Sequence, residues 1–330
     1  MKKTHAVRAA FALATVLLLT PVSAATAGQT AQAAAVAEDI TNVRKQLVIT
    51  KNTVIGENEI LYVRKGGKLY INEGVTLTIK GQLKCAEGGE IYSRGIIDSR
   101  EGSTVSISGK AKLLSTGSLK LRGKLSVNKT GIVKGLGTLK VMNLFSDISC
   151  KGTVTAKITA PKPVKKDGVT TVGGIIVANK QYDLPEDYGN GLDRNTYSAF
   201  LKMKEASGYD MTIVSGFRSY EKQKSVFEYW CSIDGYETAC TYSALPGQSE
   251  HQTGLAIDIT SLNQSYGTTD EGKWLAANCW KYGFILRYPK GKESITGYMY
   301  EPWHVRYLGT STAKLVYDSG LTLEEFLGIA

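Results

Sequence analysis

Glycine recurs at positions 67, 74, 81, 88, 95, 102 and 109, a strict interval of seven, and then at 117, 123, 131 and 137. A fixed period of this kind marks a structural repeat. Between the glycines lie short alternating apolar pairs such as Leu69/Ile71, Leu77/Ile79, Leu83/Cys85, Val105/Ile107 and Leu119/Leu121, with Lys, Arg, Ser and Thr in the intervening places. Alternation with period two predicts strands with one buried face. Strands so short cannot each build a core, so they must stack. The expected fold of residues 40–159 is therefore an all-β, solenoid-like repeat domain, with an ordinary antiparallel sandwich as the alternative. Cys85 shares the parity of Leu83, which predicts a buried thiol and not a ligand.

Charge separates this region from the C-terminal half of the chain. The whole carries a net +10 over 330 residues. Residues 40–170 hold 23 Lys/Arg against 9 Asp/Glu, whereas residues 171–330 hold 14 against 19. The nets are +14 and −5, so the basic excess belongs to the repeat domain. Such an excess suits a polyanionic partner. Between the two regions, Ala160-Pro161-Lys162-Pro163-Val164-Lys165-Lys166-Asp167-Gly168 lacks apolar periodicity, and 160–170 is expected to be an exposed linker. Beyond it the pattern turns to mixed helix and strand. Helical spacing runs over 192–207 and ends at Gly208, Ser219 can cap a helix reaching about Trp230, and 271–282 forms a further helix closed by Gly283. Short strands are expected at 211–214, 284–287 and 304–307. Together these predict an α+β domain over 171–330.

The N-terminus bears on location. Lys2, Lys3 and Arg8 precede an apolar run from Ala9 to Leu19, followed by Pro21 and the small residues Ala25-Thr26-Ala27. This is the layout of a secretory signal peptide over 1–27, the run falling short of the ~20 residues a spanning helix needs. A secreted, wall-located protein is expected, in contact with membrane only during export. Nucleic acid then falls away as a partner, and anionic wall polymers become the expected partner of the repeat domain, with a spacer that merely has a solvated basic face as the alternative. Five cysteines remain, at 85, 150, 231, 240 and 279. Cys231 and Cys240 are close enough in sequence for a local bridge, and two free thiols are the other outcome.

Chemistry concentrates in the C-terminal domain. Two of the three histidines, His251 and His304, lie in Ser249-Glu250-His251-Gln252-Thr253-Gly254-Leu255-Ala256-Ile257-Asp258 and Glu301-Pro302-Trp303-His304. Asp258 sits opposite the apolar row Leu255, Ile257 and Ile259, and Gly254 lets the chain turn between His251 and that strand. Pro302 interrupts regular pairing, so Glu301 and His304 can converge. Two imidazoles and one carboxylate suit Zn²⁺ at a catalytic site with a fourth position left open. Either Glu301 or Glu250 is then available as a base.

The strings SGFRSYEKQ (215–223), PGQSEHQTGLAIDI (246–259), YGFILRYP (282–289) and EPWHVRYLG (301–309) resemble the zinc D,D-carboxypeptidases of the vancomycin-resistance type. These belong to a wider group of peptidoglycan peptidases related to lysostaphin and the hedgehog signalling domain. The resemblance spans roughly 175–309 and leaves the glycine-repeat domain outside it. It implies an α+β zinc peptidase with His251, Asp258 and His304 as metal ligands, Glu301 as catalytic base, and Arg218 as the group that binds substrate or the developing oxyanion. Ser249 and Gln223 are implied as polar neighbours of the substrate. The implied activity is removal of the terminal D-Ala from peptidoglycan stem peptides. An L,D-carboxypeptidase or endopeptidase of the same fold is the alternative among enzymes, since the motifs fix metal and base but not the subsite before the cut. A wall-binding protein without turnover is the alternative outside them.

Overall fold

The structure is a computed structural model that describes residues 39–330. The expected signal peptide lies outside the described residues. Among the described residues no helix is long and apolar enough to cross a membrane.

Residues Asp39–Thr159 wind into a solenoid of three parallel sheets, each six-stranded. Leu61 pairs with Leu83 and Leu77 with Ile97, so one rung takes 20 to 22 residues. The seven-residue glycine interval is thus one side of a three-sided coil. Parallel pairing excludes the antiparallel sandwich. Inward positions stack in columns, as Val63, Cys85, Ile107, Val127 and Cys150 do, and each is buried. Burial pushes the Cys85 thiol up to about 11, which keeps it a neutral packing group.

Alternate glycines of the series, Gly67, Gly81, Gly95 and Gly109, are steric requirements of the stacking, whereas Gly74, Gly88 and Gly102 serve turns with positive φ. At Gly95 an added Cβ would lie 2.2 Å from the Val75 carbonyl oxygen and 2.4 Å from that of Asn72. The Val75 carbonyl also accepts the Ile96 amide at 2.8 Å, so the rungs cannot part there without losing the ladder.

The segment 160–170, expected as an exposed linker, is largely exposed and carries a β-hairpin. Val164–Lys166 pairs antiparallel with Val169–Val172, which pairs in turn with Ile175–Val177. Its tip is exposed, as the charge pattern implies, yet Val172 and Val177 enter the same core as the solenoid. Pairing satisfies the backbone that a free linker would leave to water.

The C-terminal part is α+β. Its helices are α1 (Arg194–Ser207), α2 (Tyr220–Asp234), α3 (Tyr236–Ala239), α4 (Asp270–Asn278), α5 (Glu293–Thr296), α6 (Thr310–Ser319) and α7 (Leu323–Leu327). Ser219 caps α2 by accepting the Lys222 amide, and Gly208 ends α1 in the left-handed region. The helix expected over 271–282 divides into α4 and a 3₁₀ turn at Cys279–Tyr282 before Gly283. One antiparallel sheet runs in the order Ile213–Ser215, Ala256–Ile259, Glu301–Tyr307, Phe284–Tyr288. Phe200 and Met203 of α1 and Leu275 of α4 pack with Ile257, Ile259, Phe284 and Val305 in one core cluster.

Helices α6 and α7 join the solenoid core. Ala313, Leu315 and Val316 of α6 and Leu323, Phe326 and Leu327 of α7 belong to the cluster that includes Leu139, Val141 and Ile148. Phe145 and Phe326 pack in a tilted pair with ring centroids 5.2 Å apart, and the Cys150 amide donates to Ser311 Oγ at 3.1 Å. The open end of a solenoid is a row of unpaired strands and exposed apolar columns, and the peptidase helices cover it.

Gly95→Ala is expected to destabilise the protein by about 1–3 kcal/mol, because a methyl group must displace backbone rather than a side chain. Urea unfolding measures this; a loss below about 0.5 kcal/mol would contradict the close approach of the rungs.

Candidate active site

Three adjacent strands bring the site together by register. Asp258 on the strand Ala256–Ile259 pairs with Ser215 on one side and His304 on the other. His251 arrives from the 3₁₀ turn Glu250–Thr253, which ends at Gly254 in the left-handed region. A Cβ at Gly254 would lie 2.3 Å from the Gly191 carbonyl oxygen, so only glycine turns the chain there. Glu301 and His304 are three apart on one strand and would ordinarily face opposite ways. Opposite the strand Phe284–Tyr288 the pairing slips between Leu286↔Val305 and Tyr288↔Glu301. One residue then faces three, and this bulge at Pro302 turns both side chains to the same centre.

The result is a compact cluster. His251 Nε2 lies 3.2 Å from Asp258 Oδ2, and His304 Nδ1 lies 3.1 Å from Asp258 Oδ1. One ligand atom from each of His251, Asp258 and His304 falls within 4.8 Å of the others, and all three residues are buried. His251 Nδ1 donates to the Gly216 carbonyl at 2.7 Å, which leaves Nε2 as the free lone pair. Burial alone would raise the Asp258 carboxyl, but the two imidazoles hold it well below the usual carboxylate range. Asp258 Oδ1 has no hydrogen-bond partner although it is buried. A buried carboxylate with an unsatisfied oxygen between two imidazoles fits a divalent cation, and the N₂O donor set fits Zn²⁺.

Two glutamates adjoin the cluster, and geometry separates them. Glu301 Oε2 is 3.5 Å from His304 Nδ1, on the ligand side of the ring, and burial pushes its carboxyl up to about 8. Glu250 lies behind the ring, its Oε2 3.8 Å from His304 Nε2. Its Oε1 accepts from Arg287 Nε at 2.8 Å and Arg306 NH1 at 2.7 Å. Burial opposes the charge on Glu250, but the two guanidiniums hold its carboxyl far below its ordinary value. Glu250 is committed to a buried ion-pair network and is not free to carry protons; Glu301 is.

A cleft of about 750 Å³ opens on the cluster, lined by His251, Asp258, His304, Glu301, Arg218 and Ser249 and walled by Trp230, Tyr242, Tyr288 and Trp303. Arg218 NH2 lies 3.9 Å from Asp258 Oδ2. Its guanidinium donates to Ser215 Oγ at 2.7 Å and to Gln223 Oε1 at 2.8 Å. The remaining donors of the fork are available to a ligand. Gln223 departs from expectation. It is fully buried and outside the cleft wall, and its Nε2 donates to the Ala244 carbonyl at 2.6 Å. It sits on α2, whose inward face turns this residue away from the opening, so it holds Arg218 rather than touching a substrate. Cys231, in the last turn of α2, and Cys240, which caps the end of α3, are free thiols.

Tyr288, Tyr298, Arg287, Arg306 and Glu324 complete the surroundings, and sequence reasoning misses them. Arg287 is a charge in the middle of the apolar strand Phe-Ile-Leu-Arg-Tyr, and that placement is the available signal.

A two-histidine, one-aspartate cluster with an adjacent glutamate at the floor of a cleft is the arrangement of a metallopeptidase. The family model of the VanY-type D-alanyl-D-alanine carboxypeptidase matches residues 190–310. The chain is 41% identical over 194 residues to the putative carboxypeptidase YodJ of Bacillus subtilis (strain 168), covering 49% of this chain and 71% of that one. It is 33% identical over 184 residues to a D-alanyl-D-alanine carboxypeptidase of Enterococcus faecalis (strain ATCC 700802 / V583), covering 49% and 69%. Among solved structures, the L,D-carboxypeptidase DacB from Streptococcus pneumoniae is similar at 40% identity with a TM-score of 0.47, covering 51% of this chain and 95% of that one. The chain belongs to the VanY family of D-alanyl-D-alanine carboxypeptidases. It is a metallo-carboxypeptidase by descent, with a solenoid fused ahead of the matched region.

Proposed function

We propose that the protein is an exported zinc D,D-carboxypeptidase that removes the terminal D-Ala of peptidoglycan stem peptides. The observation that carries this is the meeting of His251, Asp258, His304 and Glu301 at the floor of one cleft with Arg218 on its wall. His251 Nε2, Asp258 and His304 Nδ1 would hold the metal. Zinc bound there supplies Lewis acidity, polarising the scissile carbonyl. Glu301 takes the proton of the attacking water and returns it to the leaving amine. Arg218, braced by Ser215 and Gln223, presents its remaining N–H donors to the substrate's terminal carboxylate or to the charge that develops on the carbonyl oxygen. Ser249 lies on the cleft wall as a further polar contact for the peptide.

Export rests on the sequence of residues 1–27, and it places the enzyme where its substrate is. The solenoid supplies a reason to stay there. On one sheet, Lys68, Tyr70, Tyr92, Lys110, Lys112 and Lys134 occupy outward positions of successive strands, with Glu90 among them 3.9 Å from Lys68 and 4.0 Å from Lys112. Tyr70 and Tyr92 stack at 4.9 Å, and Lys112 Nζ lies 4.6 Å from the centre of the Tyr92 ring. A basic strip with an aromatic ladder suits an anionic wall polymer such as a teichoic acid, held by screened attraction.

Incubation of zinc-loaded protein with synthetic tri-, tetra- and pentapeptide stems, read by mass spectrometry, is expected to show loss of one D-Ala from the pentapeptide. Cleavage of the tetrapeptide alone would assign L,D-specificity, and cleavage inside the stem an endopeptidase. Glu301→Ala is expected to retain zinc and lose at least about 10²-fold in kcat; full residual activity would refute its role. Sedimentation of the protein with purified cell walls is expected to weaken steeply as salt rises. Binding insensitive to salt would exclude the electrostatic attachment.

A further inference from the structure

We infer that Glu324, on the C-terminal helix α7, is a positioning residue for the metal-ligand His304, so that the contact between α7 and the solenoid end supports the metal site. This rests on the zinc-site reading above. His304 presents Nδ1 to Asp258, and its other nitrogen, Nε2, is buried with no hydrogen-bond partner. The atom facing it is Glu250 Oε2, 3.8 Å away, which is likewise buried and unpartnered. An imidazole that ligates through Nδ1 carries its proton on Nε2, and a carboxylate oxygen is the usual acceptor behind a metal-bound histidine. The two orphaned atoms satisfy each other if Oε2 is kept free for that purpose.

The network around Glu250 keeps it free. Both arginines engage Oε1 and leave Oε2 alone. The terminal nitrogens of Arg287 are drawn to Glu324 rather than to that oxygen, NH1 donating to Glu324 Oε2 at 2.9 Å and NH2 to Glu324 Oε1. Arg306 is held on its far side by the Ile176 carbonyl at 2.8 Å. The four side chains form two positive and two negative charges, each group at most 3% exposed. Removing the charge of Glu324 leaves an excess guanidinium beside Glu250 with unsatisfied N–H groups in a dry interior. Those groups then compete for Glu250, whose Oε2 is the oxygen reserved for His304.

Glu324 is itself placed by the solenoid end. It follows Leu323 on α7, whose N-terminus is closed by a capping box between Thr322 and Glu325. Phe326 on the same helix packs in a tilted pair with Phe145 of the solenoid's last turn, and Asn179 Nδ2 donates to Glu324 Oε1 at 3.3 Å. The ligand sphere is thereby tied, through four buried side chains, to a helix that the extra domain seats.

The test is zinc affinity of the purified chain, read by competition with a chromogenic chelator and without substrate. Glu324→Gln is expected to weaken zinc binding roughly tenfold or more. On a D-Ala-terminated stem it should lower kcat with KM nearly unchanged. Glu324→Asp, which keeps the charge, should recover most of the affinity, a rescue that a purely packing role would not produce. Should Glu324→Gln fail to fold, Phe145→Leu, which leaves every charge of the network in place, is expected to weaken zinc binding in the same direction. Parent-like zinc affinity in folded Glu324→Gln, or in Phe145→Leu, would overturn the inference while leaving the assigned function standing. A parent protein that binds no zinc would instead defeat the functional reading itself.

Discussion

A carboxylate buried between two imidazoles is the arrangement on which the rest of the C-terminal domain depends. Taking such a charge out of water costs several kcal/mol, and its neighbours must offset that. Asp258 has His251 at 3.2 Å, His304 at 3.1 Å and the Arg218 guanidinium at 3.9 Å, yet one of its oxygens has no hydrogen-bond partner. A cation held between the three side chains would satisfy that oxygen. The sheet order, the Gly254 turn and the bulge at Pro302 all serve to bring these groups to one point.

Outside that cluster a second buried set of charges supports it without touching substrate. Glu250 and Glu324 balance Arg287 and Arg306 in the dry interior between the sheet and α7. Buried pairs of this kind contribute little net stability, and their worth lies in specifying one geometry. Here the geometry specified is that of His304. The solenoid shares this responsibility because its core runs on into α6 and α7, so the fused domain is a structural part of the peptidase as well as a candidate attachment surface.

Much of this is legible in the sequence, for identifiable reasons. The glycine period reports the length of one side of the coil because the turns between sides call for glycine, at some for want of room for a Cβ and at others for a positive φ. Period-two alternation reports which side chains face inward. His251, Asp258, Glu301 and His304 stand out because their residue types have no packing role in such polar contexts. The segment 160–170 reads as a linker because a short paired arm with an exposed tip has the same composition as a free tether. Gln223 reads as a substrate neighbour because the segment 215–223 bends from strand to helix, and residues adjacent in a motif then face different ways. Arg287, Arg306 and Glu324 escape notice because the partners in their network lie 37 or more positions apart, and no local pattern encodes a contact that the sheet creates.

The most direct measurement is the X-ray absorption fine structure of the zinc-loaded protein. One tightly bound zinc is predicted, with two imidazole nitrogens and one carboxylate oxygen at about 2.0–2.2 Å and a light-atom fourth ligand. A sulfur shell near roughly 2.3 Å, a single imidazole, or a protein that takes up no zinc would contradict it.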